Sequence, residues 1–182
     1  MELDERRLSG EYIYKGRILN LRRDTVRLPD GREAKREVVE HLGGVGVLPL
    51  TDDGRIILVR QHRYPYGENI LEIPAGKMDR EGEDPLECGV RELREETGCT
   101  ADSIVSLGCV YPSPGFLDEV VHIFLARGLK AGEARPDDGE FLKVEILPAA
   151  QVVDMIMSNE IRDAKTVAAV LKTVRLLGGE LL

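Results

Sequence analysis

The stretch EDPLECGVRELREETGC, from Glu83 to Cys99, contains five Glu within seventeen residues. Its ends carry helix signals: Asp84 is a good N-cap, and Pro85 suits the first helical position, where its missing N–H costs nothing. Gly98 supplies a left-handed stop after Thr97. We therefore predict a short helix from Pro85 to Thr97 that carries a large negative charge.

The predicted helix has an apolar stripe and, on another side, an acidic face. The apolar residues recur at helical spacing and comprise Leu86, Val90, Leu93 and Thr97. At about 100° per residue, Glu92, Glu95 and Glu96 fall within an arc of about 100°, centred about 140° from that stripe. Like charges at these spacings destabilise a helix by roughly 0.2–0.5 kcal/mol per pair. Arg91 can form an ion pair with Glu95 at i+4 and so reduce this repulsion. No basic residue stands at i+4 from Glu92 or Glu96.

Periodicity alone leaves two interpretations of the acidic face open. It could be a solvated surface, as in most helices with this many Glu. It could instead be a carboxylate cluster for a hard divalent cation such as Mg²⁺, which takes oxygen ligands and leaves positions open for phosphate oxygens. The residues around the helix decide between the two.

The run PAGKMDREGEDPLECGVRELREETGC, residues 74–99, resembles the signature of the Nudix hydrolases. In words, that signature is Gly, five residues, Glu, seven residues, then Arg-Glu-apolar-any-Glu-Glu-any-Gly-apolar. The second half matches without gaps from Glu83 to Cys99. The first half departs, because six residues, KMDREG, separate Gly76 from Glu83. We expect a small bulge in the loop before the helix to accommodate the extra residue.

Two further stretches narrow the resemblance to the ADP-ribose pyrophosphatase branch of the Nudix hydrolases. VRQHRYPYGENILEIPAGK is very similar to the segment that precedes the signature in those enzymes, and YPSPGFLDE places Pro114 sixteen residues after Gly98, as in ADP-sugar pyrophosphatases. REVVEH and DAKTVAAVL also resemble this branch. Leu117 departs from it, since many relatives have a small or hydroxyl residue there. The resemblance covers nearly the whole chain.

Charge and composition are compatible with such an enzyme. A net charge of −8 argues against a nucleic-acid partner, because phosphate backbones demand basic patches. Three Cys without metal-ligand spacing indicate reduced thiols in a cytoplasmic protein. There is neither a secretion signal nor an apolar run near the ~20 residues of a membrane helix, so no membrane partner is expected.

Hydrophobic patterning predicts an α+β protein. The segments read as strands are Tyr12–Tyr14, Leu19–Leu28, Glu33–His41, VGVLPL, IILVRQHRY, ILEIPAG, IVSLGCVYPSPG, VVHIFLARGL and FLKVEILPAAQ. Helices are predicted over 149–157 and 164–177, with Val167, Val170, Leu171, Val174 and Leu177 on one face of the second. The resemblance implies an α/β/α Nudix sandwich with a mixed sheet. We expect residues 1–41 to form a small antiparallel sheet for dimerisation, exchanged between subunits, and residues 42–182 to form the Nudix domain.

The resemblance implies metal-dependent hydrolysis of the pyrophosphate of ADP-ribose and related ADP-sugars. By the same resemblance, Glu92 and Glu96 are direct ligands of Mg²⁺, Mn²⁺ or another divalent cation, and Glu95 is a partly water-mediated one. The carbonyl of Ala75 completes the set, and Arg91 orients Glu95. An ordinary ion pair on the helix surface is the alternative for Arg91.

In this branch the general base comes from an acidic loop after the signature. The candidate segment is ARPDDGEFLKVEIL, and we favour Glu140 because it adjoins the apolar FLKV strand. Asp138 is the main rival. An ordinary acidic turn between strands is the alternative for the whole segment.

Substrate contacts are expected at several positions. Arg63 suits bidentate phosphate binding, and Glu72 could hold ribose hydroxyls, although Arg63 could equally be a solvated charge. The remaining positions are Gly76 and Gly115. The relatives are homodimers in which one subunit completes the site of the other, and Arg36 and Glu37 are candidates for that contribution.

Three rival functions remain. The first is a Nudix hydrolase of another substrate, such as a nucleoside triphosphate, a dinucleoside polyphosphate or a GDP-sugar; the position of Pro114 disfavours the first two. The second is a non-catalytic ADP-ribose sensor, which would not need the three Glu. The third is an acidic interaction module, which leaves YPSPGF unexplained.

Overall fold

The structure, a computed structural model, describes residues 3–79 and 81–178. Arg80, within the expected bulge between Gly76 and Glu83, lies outside the described residues, as do the outer ends of the two predicted domains, residues 1–2 and 179–182. The chain divides into two compact units. The first comprises Met1–Gly43 and Tyr111–Val120, and the second Gly44–Val110 and Val121–Leu182.

The first unit contains a three-stranded antiparallel sheet, as predicted. Its strands, in spatial order, are β1 (Arg6–Lys15), β2 (Asn20–Arg27) and β3 (Glu33–Glu40). β1 is longer than the predicted Tyr12–Tyr14 and is exposed along its whole length. The separate segment of this unit is tied to β3, because Val39 donates to the Phe116 carbonyl at 2.7 Å.

The second unit contains two sheets and three helices. The elements are β4 (Gly44–Pro49), β5 (Arg55–Arg63), β6 (Glu68–Glu72), β7 (Ala75–Lys77), α1 (Pro85–Thr97), β8 (Thr100–Val110), β9 (Val121–Lys130), β10 (Leu142–Pro148), α2 (Ala149–Met157) and α3 (Ala164–Leu176). One sheet has the order β7-β4-β9-β8 and is mixed, because β4 and β9 run parallel. The other is antiparallel, in the order β10-β5-β6. The predicted mixed sheet is confirmed.

The segment ILEIPAG was predicted as one strand, and this is wrong. It divides into β6 and β7, which belong to different sheets. Pro74 has no N–H to donate to a ladder. The N–H of Ile73 donates instead to the hydroxyl of Thr166 on α3, at 2.9 Å. The break sends Ala75 and Gly76 towards α1.

Alternating side chains on the strands build two hydrophobic clusters, one on each face of the sheet layer. On β4, Val45 and Val47 join the cluster beneath α1, whereas Leu48 belongs to the cluster shared with α2 and α3. On β9, Phe124 and Ile123 divide in the same way. Successive strand residues point to opposite faces, so helices can cover both. The α/β/α sandwich predicted from the family resemblance is thereby confirmed.

The predicted apolar face of α3 is partly wrong. The residues that α3 buries are Thr166, Ala169, Val170 and Thr173. Leu171 is exposed, while Val167, Val174 and Leu177 pack at the edge of the core. Thr166 is buried because its hydroxyl accepts from Ile73, a long-range contact that a helical pattern does not reveal.

None of the helices in the described part of the chain combines the length and the hydrophobicity that crossing a membrane requires. The three cysteines are free, with Cys88 and Cys99 buried and Cys109 exposed.

Candidate metal and catalytic site

The helix α1 begins and ends where the sequence predicts. Asp84 caps it by accepting from the N–H of Leu86 at 2.8 Å, Pro85 is its first residue, and Gly98 terminates it with φ of 74°. The predicted apolar stripe, however, is wrong at Leu86 and Val90, which are exposed.

The buried face of α1 includes two carboxylates. It consists of Cys88, Gly89, Glu92, Leu93 and Glu96. Gly89 makes this face possible, because a Cβ there would lie only 3.1 Å from Val47 on β4. The helix therefore turns Glu92 and Glu96 into the protein, where their relative exposures are 9% and 2%. The interpretation as a solvated acidic face does not hold for these two residues.

Both buried carboxylates lie against the backbone of β7. The N–H of Ala75 donates to Glu96 Oε2 at 2.9 Å. A Cβ on Gly76 would lie 2.0 Å from Glu92 Oε1, so only glycine leaves room for that carboxylate. The loop after β7 is closed by Glu83, which accepts from the N–H of Asp79 at 2.6 Å.

In the absence of a bound cation, burial disfavours the ionised form of both carboxylates. Burial raises the pKa of Glu92 to about 7, despite the opposing charge of Arg91. Burial raises the pKa of Glu96 to about 8; the Ala75 N–H opposes this rise, and the charges of Glu92 and Glu140 add to it. Two carboxylates that are held together at this energetic cost can be stabilised by a bound cation.

Arg91 is the cation that the structure places beside this group. Its Nη1 lies 2.8 Å from Glu92 Oε1 and 2.9 Å from Glu95 Oε2, and its Nη2 lies 3.5 Å from Asp79. Burial alone would lower the pKa of Arg91, but the charges of Glu92 and its other neighbours outweigh burial and raise the pKa. Arg91 therefore bridges two of the three predicted metal-binding carboxylates and touches the loop before α1.

The chemistry of the site fits a hard divalent cation. The groups that could hold such a cation are the carboxylates of Glu92, Glu95 and Glu96, whose oxygens are ligands of the kind that Mg²⁺ takes, and the main chain of Ala75 lies beside Glu96. Across residues 3–79 and 81–178, no three acidic, His or Cys side chains form a ready-made metal group. Mg²⁺ does not need one, since it is usually held by one or two carboxylates together with water and substrate phosphates.

We expect Gly76→Ala to weaken metal binding. The added Cβ would displace the Glu92 carboxylate, at a cost of about 1–3 kcal/mol if the side chain cannot rotate freely. Calorimetric titration with Mn²⁺ measures the affinity, and thermal unfolding measures the stability. In a Glu92→Ala background the same change should cost no further stability; an equal loss in both backgrounds would locate the clash elsewhere.

The loop that carries Glu140 is tethered to α1 at its start and to β5 at its end. The N–H of Arg135 donates to the Glu95 carbonyl at 2.8 Å, and Gly132 lies against Gly98 so closely that a Cβ on either would meet the other's backbone. At the far end Leu142 pairs with Gln61. Phe141 is 88% exposed and does not anchor the loop, contrary to the expectation for the FLKV strand.

Between these tethers the loop forms a turn in which Glu140 donates its N–H to the Asp137 carbonyl at 3.0 Å. The Glu140 charge helps to raise the pKa of Glu92 and of Glu96. The Glu140 carboxylate is therefore within electrostatic range of both buried carboxylates.

Arg63 and Glu72 form a bidentate ion pair at the ends of β5 and β6. Arg63 Nε and Nη2 donate to the two Glu72 oxygens at 2.7 and 2.9 Å, and Lys165 of α3 also donates to Glu72 Oε2. Burial alone would raise the pKa of Glu72, but Arg63 and Lys165 outweigh it and lower the pKa. Without a ligand, Glu72 is thus fully engaged within the protein.

Two predicted substrate residues lie in the first unit. Arg36 on β3 donates through Nε to Glu5 at 2.9 Å. Gly115 lies in the segment Tyr111–Val120, and a Cβ on it would meet nothing within 4 Å. Glu37, the other candidate, pairs with Arg23 across the sheet.

Three residues that the sequence interpretation left without a role join the site. Lys165 connects α3 to Glu72 and also donates to Asp163, and Thr166 connects α3 to Ile73. The available signal was local: Asp163 followed by Thr166 is a helix-capping pattern, and Lys165 between them lies at the helix start.

A cavity of about 740 Å³ borders the other side of α1. It is lined by Arg91, Arg94 and Glu95 of the helix and by residues including Lys130, Glu133 and Arg135. Charges of both signs line it, and Arg91 and Glu95 belong to its lining whereas Glu92 and Glu96 do not.

Family models match both parts of the chain. A NUDIX domain matches residues 40–170, and the N-terminal domain of nucleoside diphosphate sugar hydrolases matches residues 5–39. A solved structure described as an ADP compounds hydrolase superposes with a TM-score of 0.85 over 99% of this chain and 98% of its own; at 22% identity it supports the fold alone.

Several curated relatives match over most of their length. An ADP-ribose pyrophosphatase of Bacillus subtilis is 42% identical over 92% of this chain and 91% of its own. A methanol dehydrogenase activator of Bacillus methanolicus is 40% identical over 92% and 91%. An ADP-ribose pyrophosphatase of Mycobacterium tuberculosis is 38% identical over 93% and 83%. With its acidic helix folded against β7 and its NUDIX match spanning residues 40–170, the chain belongs to the Nudix family.

Proposed function

We propose that this Nudix pyrophosphohydrolase hydrolyses the pyrophosphate of ADP-ribose and related ADP-sugars, giving AMP and ribose 5-phosphate from ADP-ribose. The observation that carries the proposal is the pair of buried carboxylates, Glu92 and Glu96, held against the backbone of Ala75 and Gly76. The two relatives named ADP-ribose pyrophosphatase support the choice of substrate.

Nudix hydrolases generally depend on divalent metal. A bound Mg²⁺, or another divalent cation such as Mn²⁺, neutralises phosphate charge and assists the attack of water. Glu92, Glu96 and the carbonyl of Ala75 would hold the cation, with Glu95 contributing partly through water. Arg91 positions Glu95 and balances its charge through their 2.9 Å ion pair.

The remaining roles fall to residues that face the phosphates and the nucleoside. Glu140 accepts a proton from the attacking water, which its electrostatic range to Glu92 and Glu96 supports. Arg63 binds a phosphate, because its planar guanidinium suits bidentate contact, and Glu72 lies next to it for the ribose hydroxyls. Gly76 and Gly115 are further proposed substrate contacts. Arg36 and Glu37 are proposed to act from one subunit on the site of the other.

The experiment that tests the function is hydrolysis of a panel of nucleoside diphosphate sugars in the presence of Mg²⁺. Release of AMP from ADP-ribose with the highest kcat/KM supports the proposal. A GDP-sugar turned over more efficiently, with release of GMP, would assign the chain to the alternative substrate class. Binding of ADP-ribose without any turnover would identify a sensor.

We place the enzyme in the cytoplasm as a homodimer. Exposed apolar side chains on β1 and the turn after it support a second copy as partner: Tyr12, Ile13, Tyr14 and Ile18. Large exposed apolar surfaces commonly mark interaction sites. In this proposal residues 1–41 form the dimerisation sheet, exchanged between subunits, and residues 42–182 the catalytic domain.

We expect the 182-residue chain to show twice its mass of 20.2 kDa in light scattering at micromolar concentration. Ile13→Asp should shift it towards the monomer, because a buried charge in the interface would lack a partner. Met157→Asp, which changes an exposed apolar residue of α2 outside the proposed dimerisation sheet, is the control. A monomeric wild-type protein with full activity would refute the dimer.

A further inference from the structure

The carboxylate of Glu72 is paired with two cationic side chains, although one would neutralise its charge. Glu72 is 2% exposed and receives hydrogen bonds from both Arg63 and Lys165. Lys165 Nζ also lies 3.0 Å from Asp163 Oδ1. These four residues, the Glu72 cluster, contain two carboxylates and two cations and are neutral as a group.

The two cationic side chains of the Glu72 cluster differ in how easily they can move away from Glu72. The Arg63 side chain is 38% exposed and projects from the end of β5, whereas the Lys165 side chain is 14% exposed. The stem of Lys165 crosses β4 at Gly46, where a Cβ would lie 3.6 Å from Lys165 Cδ. Lys165 is therefore a fixed neighbour of Glu72, and Arg63 is an exchangeable one.

Asp163 holds Lys165 in this position. Its Oδ2 caps α3 by accepting from the N–H of Thr166 at 3.0 Å and from the Thr166 hydroxyl at 2.6 Å, while its Oδ1 faces Lys165. Thr166 in turn accepts from Ile73, the residue after Glu72. The helix start and the end of β6 are thus joined at two points, which leaves Lys165 little room to move.

We propose that Lys165 is a positioning residue that releases Arg63 for substrate. With Lys165 in place, Arg63 can turn from Glu72 to a phosphate of the substrate, and the buried Glu72 keeps a counter-ion. Without Lys165, departure of Arg63 would leave a buried carboxylate without a partner, which is strongly unfavourable. Arg63 would then stay on Glu72. The inference rests on the proposed hydrolysis of ADP-ribose.

Steady-state kinetics of Lys165→Met test the proposal. We expect the KM for ADP-ribose to rise by roughly 10–100-fold, the range for losing a charged hydrogen bond. The kcat should stay near that of the wild type, because Arg63 would contribute equally to ground-state and transition-state binding. Lys165→Gln should behave in the same way, since it restores a hydrogen-bond donor but no charge, and it carries the test if the Met variant does not fold. Lys172→Met, on the exposed side of the same helix, is the matched control.

A double-mutant cycle separates this role from a purely structural one. In an Arg63→Ala background, Lys165→Met should raise KM little further, because the two changes act through one contact. The double variant leaves the buried Glu72 without a cation and should be less stable, so KM is compared at a temperature at which all variants are folded. Additive effects on KM would overturn the proposal, as would a wild-type KM in either Lys165 variant. If the wild-type protein itself does not hydrolyse ADP-ribose, the proposed function fails; if the wild type is active and the variants keep its KM, only the role of Lys165 fails.

Discussion

Glu96→Gln should reduce metal-dependent hydrolysis by at least about 10³-fold, equivalent to about 4 kcal/mol of transition-state stabilisation. Glu96 is the most deeply buried of the three carboxylates, and its Oε2 is already aligned by the N–H of Ala75. Gln can keep that hydrogen bond but offers the cation a neutral oxygen. Chelation of divalent metal from the wild-type protein should have an effect at least as large.

The same substitution should stabilise the metal-free protein, and the gain should depend on pH. Burial raises the pKa of Glu96 from 4.5 to about 8, so the folded protein retains a proton that the unfolded chain releases. The stability that Glu96 contributes is present below pH 4.5 and is lost as the pH rises to about 8. Gln does not titrate. Across that pH window, the free energy of unfolding of Glu96→Gln should therefore rise relative to that of the wild type by an amount on the order of a few kcal/mol.

Thermal and urea unfolding in chelator, at several pH values, measure this difference. Glu87→Gln, an exposed position in the first turn of the same helix, is the control and should retain activity at every pH. Undiminished hydrolysis by wild type in excess chelator would rule out the metal mechanism. A loss of stability in Glu96→Gln that grows with pH would show that the carboxylate is not destabilising in the fold.

The boundaries of α1 could be predicted because the signals that set them are local. Asp84, Pro85 and Gly98 each act through their own backbone geometry or through a hydrogen bond within the same turn. The face that the helix buries could not be predicted in the same way. Leu86 and Val90 are more hydrophobic than Glu92 and Glu96, yet the two Glu are buried.

The cause lies in the contacts of α1 with β4 and β7. Gly89 lets α1 approach Val47, and Gly76 leaves room for the Glu92 carboxylate. A helical wheel weighs only the hydrophobicity of the helix itself and therefore assigns carboxylates to solvent. The resemblance to the Nudix signature gives the three Glu a chemical role and so argues against a solvated face. It does not predict the contacts of α1 with β4 and β7.

The Glu72 cluster illustrates the same limit. The sequence predicts Arg63 and Glu72 as substrate contacts in one region, but it does not reveal that they pair with each other. The antiparallel register of β5 and β6 does not place them opposite each other, because Val59 faces Glu72 and Arg63 faces Glu68. The long side chain of Arg63 spans this offset to reach Glu72. Lys165 comes from a helix 93 residues after Glu72, and no periodicity connects the two.

The acidic loop after β9 is held at both ends and exposed in its middle. Arg135 is bonded to the Glu95 carbonyl and Leu142 is paired with β5, so the intervening residues span a limited distance. Gly139, with φ of 92°, turns the chain just before Glu140. A carboxylate so placed can approach the site without a large rearrangement of the sheets.

Glu140→Gln should lower turnover by about 10²–10⁴-fold, the contribution of general-base catalysis. Gln keeps the shape and the hydrogen-bonding capacity of Glu but cannot accept the proton of the attacking water. The affinity for ADP-ribose should change little, because Glu140 is proposed to act on water rather than on the adenine or the ribose. Single-turnover kinetics at saturating substrate separate the chemical step from binding.

Asp138→Asn is the matched control, two residues earlier on the same turn. It removes one charge from the loop, as Glu140→Gln does, so a general electrostatic effect of the loop would appear in both variants. If Asp138→Asn is the damaging change and Glu140→Gln is near wild type, the base is Asp138 and the loop mechanism stands. If neither change lowers turnover, the loop is an ordinary acidic turn. The base must then be one of Glu92, Glu95 and Glu96.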